Sequence, residues 1–126
     1  MYKYLLATLV LAVIGFVVFL GFKIHHYANE TVPNSYAMEW VGFLMVRHLE
    51  ENDGAWPSGW EDLRDDYDAQ ASKGGAAWTF QELQDRTVVD WNADPGELVE
   101  ADLHNEAPPF YVVTVRNGRY THWGYD

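Results

Sequence analysis

The chain has 126 residues, no cysteine, 19 acidic and eight basic residues, and a formal net charge of −11. All 19 acids but only six of the bases follow residue 24, and a field of that sign repels nucleic acid, so we expect no nucleic-acid partner. The lack of cysteine excludes disulfides, thiolate zinc sites and cysteine nucleophiles.

The chain begins with an apolar segment. Residues 4–22 contain no charged side chain, and as a helix they span roughly 28 Å, close to the hydrocarbon thickness of a bilayer. Lys3 precedes the run, and Lys23 and Tyr27 come after it, as is typical of residues at the two headgroup layers. The sequence therefore predicts a single transmembrane helix that contacts membrane lipid through residues 4–22, within an anchor of residues 1–27.

Two other interpretations of this segment fit less well. A cleaved signal peptide needs a shorter apolar core and small residues before the cut, but His26 lies two positions before Ala28. A buried helix of a soluble protein needs a much larger protein around it. The slight excess of positive charge before the span predicts that the N-terminus lies on the inner side of the cell membrane and that residues 28–126 are exported.

A second helix is predicted after a break at residues 29–33. Pro33 disfavours helix at the preceding residue, and Asn34 or Ser35 can cap the next helix. Over residues 35–51 apolar side chains recur at helical spacing, so this helix either continues the anchor through a proline kink or packs separately. The predicted apolar stripe consists of Tyr36, Trp40, Phe43 and Leu44, widened by Ala37, Val41, Met45 and Leu49.

The rest of the chain predicts short helices and then strands. Ser58 and Glu61 match a capping box for a helix over residues 59–67, and Asp94 and Pro95 match the start of a helix that reaches about Leu103. Alternating residues 87–91 predict a strand, and two β-rich runs, 110–116 and 119–123, flank Asn-Gly and predict a hairpin. We expect an α+β domain over residues 28–126.

This order of elements resembles the type IV pilins and the pseudopilins of type II secretion. The segment from Asn52 to Leu63 is similar to the loop after the long helix in pseudopilins, where an Asn/Gly-Xaa-Tyr/Trp-Pro run is common. The resemblance implies an N-terminal transmembrane helix whose amphipathic continuation packs on a small antiparallel sheet. An alternative is a structural subunit of an envelope complex that acts through its transmembrane helix, with an envelope protein as its partner.

The processing motif of that family is absent. Family members are cut after a glycine that precedes a phenylalanine, and they carry a glutamate five residues into the mature chain. Here Gly15-Phe16 is followed by Leu20 at the position of the glutamate. The resemblance therefore implies a permanently anchored relative that does not polymerise by the usual route.

One spacing is typical of a metal loop. Asp90, Asn92 and Asp94 match the one-three-five oxygen pattern of a calcium loop, but Pro95 stands where the loop requires glycine. The end of a strand followed by a capped helix explains the same residues without a metal. No cofactor is expected elsewhere.

The six tryptophans allow two interpretations. Large rings build the core of a small domain that has no disulfide, or several exposed rings form a surface for a glycan or a partner protein. Trp56 and Trp60 are the candidates for such a surface, with Trp56 expected to be the most exposed because it lies in a loop. No arrangement of serine, histidine and acid predicts an enzyme. We expect a membrane-anchored, non-enzymatic accessory or interaction protein, or alternatively an exported carbohydrate- or calcium-binding module.

Overall fold

The computed structural model describes residues 2–109 and 111–117. In this part the chain is mostly helical and has one two-stranded antiparallel sheet. The elements are α1 (Tyr2–His26), a π-helical turn (Tyr27–Thr31), α2 (Val32–Glu51), a 3₁₀ turn (Trp60–Leu63), α3 (Arg64–Ala71), α4 (Phe80–Arg86), β1 (Thr87–Val89), α5 (Pro95–Leu103) and β2 (Val113–Val115). The chain divides into two compact units, Met1–Pro33 and Asn34–Asp126.

Helix α1 contains the apolar run. All side chains from residue 4 to residue 25 are exposed, and Thr8 Oγ1 donates a hydrogen bond to the carbonyl of Tyr4 at 2.9 Å, which satisfies the one polar side chain of the run. Among the described residues, this is the one helical segment long and apolar enough to cross a membrane. A single helix of this kind at an N-terminus is either a membrane span or a signal sequence.

The predicted break at residues 29–33 is a change of helix type. The backbone N–H of Val32 bonds to the carbonyl of Tyr27, five residues earlier, which makes this turn π-helical. Pro33 has no N–H to donate, and its ring crowds the carbonyl of the preceding turn, so a wider turn beside it relieves the clash. The prediction that Asn34 or Ser35 caps α2 is wrong, because α2 begins at Val32 and both residues lie inside it, where both are buried.

One face of α2 forms half of the hydrophobic core. Its buried apolar residues Ala37, Val41, Leu44 and Met45 join Leu63, Phe80, Leu83 and Val89 in a single cluster. The predicted stripe is wrong at Tyr36 and Phe43, which are exposed. Both faces of α2 carry large apolar groups, and the helical period alone does not show which face the rest of the domain covers.

Helix α2 ends where Asn52, Asp53 and Gly54 predict. Asp53 and Gly54 adopt left-handed backbone conformations, with φ of 54° and 82°. The N–H of Gly54 reaches back to the carbonyl of Leu49 at 2.8 Å, which satisfies one of the free carbonyls at the end of the helix.

The next helix starts differently from the prediction. Residues 60–71 are helical, but Ser58 forms its hydrogen bonds with Asp62 and not with the predicted capping-box partner Glu61. The backbone N–H and the hydroxyl of Ser58 both donate to Oδ2 of Asp62 at 2.7 Å. These two bonds, the backbone one first, lower the pKa of the Asp62 carboxyl.

A capping box is present at α4, a helix that the apolar spacing does not predict. The backbone N–H of Thr79 donates to Glu82 Oε2 at 2.7 Å, and the backbone N–H of Glu82 donates to Thr79 Oγ1 at 3.1 Å. The bond from the Thr79 backbone is the main cause of a lowered pKa at Glu82. The sequence Thr-Phe-Gln-Glu has the residue types and the spacing of a capping box.

The sheet pairs β1 with β2 in antiparallel register, Thr87 opposite Val115 and Val89 opposite Val113. Beyond β1, the N–H of Asp90 still bonds to the carbonyl of Val112 at 2.8 Å before the chain turns. The predicted return strand 119–123 lies outside the described residues, as do Phe110 and Gly118. The helix expected after Asp94 is confirmed, with Asp94 Oδ1 accepting from the N–H of Gly96 at 2.8 Å.

Candidate functional site

The carboxylates of the predicted calcium loop bond to the backbone. Asp90 Oδ1 accepts from the N–H of Asn92 at 3.1 Å, and Asp94 Oδ1 accepts from the N–H of Gly96. These bonds are those of a turn after a strand and of a helix cap. Within residues 2–109 and 111–117, no three side chains of histidine, aspartate or glutamate come close enough to hold a metal ion. Calcium binding by Asp90, Asn92 and Asp94 stays a prediction.

An open acidic hollow lies beside the start of α5. Its volume is about 530 Å³, and its acidic lining residues are Asp94, Glu97, Glu100 and Glu106. Four carboxylates around one hollow give this side of the domain a negative surface, which attracts cations from solution.

Trp56 and Trp60 are half-buried and pack against the core. The indole N–H of Trp56 donates to the carbonyl of Trp91 at 3.1 Å, and the Trp60 ring meets Trp91 edge-on with centroids 5.5 Å apart. Trp60 also contacts Phe80 edge-on at 5.8 Å. Both rings therefore serve the packing of the domain, whereas binding of a glycan or a partner by Trp56 and Trp60 stays a prediction.

The other described tryptophans also contact the core. Trp40, Trp78 and Trp91 are half-buried against it, and the guanidinium of Arg86 lies 4.6 Å from the centroid of the Trp78 ring. Arg86 also donates to Oδ1 of Asn34 at 2.8 Å, so one side chain ties α4 to the start of α2. Trp123 lies outside the described residues.

A buried ionic group joins α2 to α3, and its partners are far apart in the sequence. Nδ1 of His48 lies 3.0 Å from Oδ2 of Asp66, and Nε of Arg47 lies 3.6 Å from Oδ1 of the same carboxylate. Asp66 is 3% exposed. Arg47 also pairs with Glu51 one turn further along α2, although its own Nε is buried without a hydrogen bond.

The proton at His48 can be assigned from this geometry. An ionised carboxylate only accepts hydrogen bonds, so Nδ1 of His48 carries the hydrogen in the bond to Asp66. The side-chain nitrogen of Asn52 lies 3.3 Å from the same Nδ1 and donates instead to the backbone carbonyl of His48 at 2.8 Å. The arrangement holds two helices together, and the two residues of the pair lie 18 positions apart in the sequence.

A narrow exposed stripe runs along α2 on the side away from the core. It consists of Tyr36, Glu39, Phe43, Val46 and Glu50, hereafter the α2 stripe. The exposed fractions of its apolar members are 46% for Tyr36, 49% for Phe43 and 54% for Val46. Every other residue of α2 from Asn34 to Leu49 is buried or half-buried.

Comparison with known proteins gave no relative: no family model matches the chain, and no match was found among curated proteins or among solved structures.

Proposed function

We propose that the chain is a single-pass membrane protein whose exported domain binds another protein and has no catalytic activity. The observation that carries the membrane anchor in this proposal is α1. Its side chains from residue 4 to residue 22 are apolar except for Thr8, and all of them are exposed. Burying a large apolar side chain contributes about 1.5–3 kcal/mol, and a lipid bilayer offers that burial to every side of the helix at once.

The direction of insertion is argued from the few charges beside the span. Lys3 precedes the run, and all 19 acidic residues lie beyond it. We infer from this distribution that the N-terminus lies inside and the acidic domain outside. The strong negative charge of the domain suits an exterior binding surface for a basic partner.

We also propose that the chain is a divergent relative of the pilins and pseudopilins. The order of a long N-terminal helical segment, a Trp-Pro loop and a small antiparallel sheet supports this relationship. The segment from residue 4 to residue 22 holds no acidic residue. We therefore expect the anchor to stay in the membrane uncleaved, and the protein to act as a fixed accessory of an envelope assembly.

Thiol labelling of single-cysteine variants tests the topology, because the natural chain has no cysteine. Ser72→Cys lies at an exposed position beyond α3, and Ala7→Cys lies in α1. A membrane-impermeant maleimide applied to intact cells should label Ser72→Cys and leave Ala7→Cys unlabelled. Labelling of Ser72→Cys only after lysis would contradict the export of the domain.

Membrane extraction and intact mass test the anchor itself. The protein should stay in the membrane pellet after alkaline carbonate washing, and its intact mass should include the apolar run of residues 4–22. A shorter mass with the loss of the apolar run would identify a signal sequence and overturn the proposal.

A further inference from the structure

The spacing of the α2 stripe is that of a helix–helix contact. Its five residues succeed one another at intervals of three, four, three and four, the a and d positions of a heptad. Three of the five positions are apolar. A stripe confined to a and d positions is the narrow seam of a coiled coil, whereas a helix that lies on a globular core needs a wider face. Helix α2 has both, because its wide face covers the core and its narrow one is exposed.

The centre of the stripe differs in chemistry from the two positions that flank it. Phe43 and Val46 lie at its centre, and Glu39 and Glu50 lie on either side of them along the helix. The two glutamates are 11 residues apart, about 16 Å along the axis. Neither forms an ion pair with another residue of the described part of the chain, so both carboxylates face outward with their charge uncompensated.

A second copy of the chain does not suit this stripe in either direction. In a parallel pair, identical positions face each other, which sets Glu39 against Glu39 and Glu50 against Glu50. In the antiparallel pair that brings Phe43 onto Val46, Glu39 of one copy faces Glu50 of the other. Like charges opposed at such positions destabilise a helix pair, and the acidic net charge of the chain adds to the repulsion.

We propose that the α2 stripe binds an amphipathic helix of another protein, with apolar residues against Phe43 and Val46 and lysine or arginine against Glu39 and Glu50. This inference rests on the proposed function as an interaction protein and names the chemistry of the partner. Apolar contacts at the centre supply the affinity. The two charge pairs that flank this centre fix the register and exclude acidic partners.

A synthetic helix tests this recognition. The full chain is placed in phosphatidylcholine nanodiscs and titrated with a labelled peptide of about three heptads, a length sufficient for a helix pair. One peptide has leucine at the central a and d positions and lysine at the two positions that face Glu39 and Glu50; its control has glutamate there. The lysine peptide should bind about tenfold more tightly than the glutamate peptide, since two attractive pairs replace two repulsive ones.

Charge reversal on the protein should invert that preference. The variant E39K/E50K changes two exposed residues, and we expect it to fold and to bind the glutamate peptide more tightly than the lysine peptide. If the variant keeps the preference of the natural chain, or if neither peptide binds the natural chain, the inference is wrong.

Replacement of two exposed valines by aspartate, one on the stripe and one elsewhere, tests whether the peptide binds the stripe specifically. Val46→Asp should reduce binding of the lysine peptide at least tenfold, because it places a carboxylate in the centre of the seam. Val99→Asp, on α5 and 59% exposed against 54% for Val46, should leave binding within twofold. Equal losses from the two substitutions would overturn the assignment of the stripe.

Photo-crosslinking in the native membrane identifies the occupant. With benzoylphenylalanine at position 43, an adduct to a segment of another protein with basic residues at heptad spacing is expected. An adduct to a second copy, to lipid alone, or to nothing would contradict the inference. Such a result would not contradict the proposed membrane-anchored, exported protein as long as Ser72→Cys is labelled from outside. The inference about the α2 stripe and the proposed function can therefore fail separately.

Discussion

His48 on α2 and Asp66 on α3 form a buried imidazole–carboxylate pair, with Nδ1 and Oδ2 3.0 Å apart and the two residues 18 positions apart in the chain. Together with Arg47, they link α2 to α3, and Asp66 is the buried residue of α3. Since a buried carboxylate requires partners for both of its oxygens, this pair fixes how α3 lies against α2.

Replacement of Asp66 should destabilise the domain. Asp66→Asn keeps the shape of the side chain but removes the charge that faces His48 and Arg47, and removal of one partner from a buried ion pair costs about 3 kcal/mol. The free energy of unfolding from urea titration of the full chain in detergent measures the loss. Asp65→Asn is the matched control, because Asp65 is the exposed neighbour on the same helix, and its change should stay within about 0.5 kcal/mol. Equal effects of the two would show that the buried pair is not important for stability.

The two faces of α2 should respond differently to truncation. Leu44→Ala removes a side chain that is 0% exposed in the centre of the core, and the resulting cavity should cost about 2–5 kcal/mol of unfolding free energy. Val46→Ala, two residues away on the α2 stripe, should change the unfolding free energy by less than about 0.5 kcal/mol. A large loss of stability from Val46→Ala would mean that the stripe is covered within the chain itself.

The cap of α4 should make stability depend on pH. The hydrogen bonds from Thr79 lower the pKa of Glu82 in the folded chain below its ordinary value of 4.5, so the ionised carboxylate stabilises the fold. That contribution is complete above about pH 4.5 and is lost as the pH falls through the lower folded-state pKa. Glu82→Gln should therefore reduce the unfolding free energy more at pH 7 than at pH 3.

The control for this comparison is Gln84→Ala, on the same helix and without a titratable group. Its effect on the unfolding free energy should be the same at both pH values. If Glu82→Gln also has equal effects at pH 7 and pH 3, then the carboxylate of Glu82 does not act through its ionisation.

The hydrogen bond of Trp56 should contribute to the stability of the loop after α2. Trp56→Phe keeps an aromatic ring and removes the N–H that bonds to the carbonyl of Trp91, and we expect a loss of about 1 kcal/mol. Trp60→Phe is the control, since the described contacts of Trp60 are those of its ring. Faster amide hydrogen exchange in residues 55–59 of the Trp56 variant alone would locate the effect in the loop.

Local chemistry allows much of the fold to be predicted from the sequence. The uncharged run, the Asn-Asp-Gly end of α2 and the Asp-Pro start of α5 are each determined by a few neighbouring residues, and all three are present. The capping box of α4 is equally readable from Thr79 and Glu82, although apolar spacing alone does not predict that helix. At Ser58 the same spacing is misleading, because Asp62 accepts both hydrogen bonds that Ser58 donates.

Long-range partners cannot be predicted in the same way. Nothing local indicates that Asp66 pairs with His48, or that Arg86 reaches Asn34 across 52 residues. The exposure of Tyr36 and Phe43 also depends on long-range packing. Which side of a helix is exposed depends on which side the rest of the chain covers. The α2 stripe is therefore visible only once the core has been located.

The packing of the tryptophans has an optical consequence. Residues 1–33 contain no tryptophan, while the five described tryptophans all contact one core in the unit from Asn34 onward. Indole emission shifts to longer wavelength when water reaches the ring, so the intrinsic fluorescence of this chain reports melting of that unit alone. The apolar N-terminal helix contributes no indole emission, so unfolding of the unit from Asn34 onward can be measured while that helix stays in the membrane.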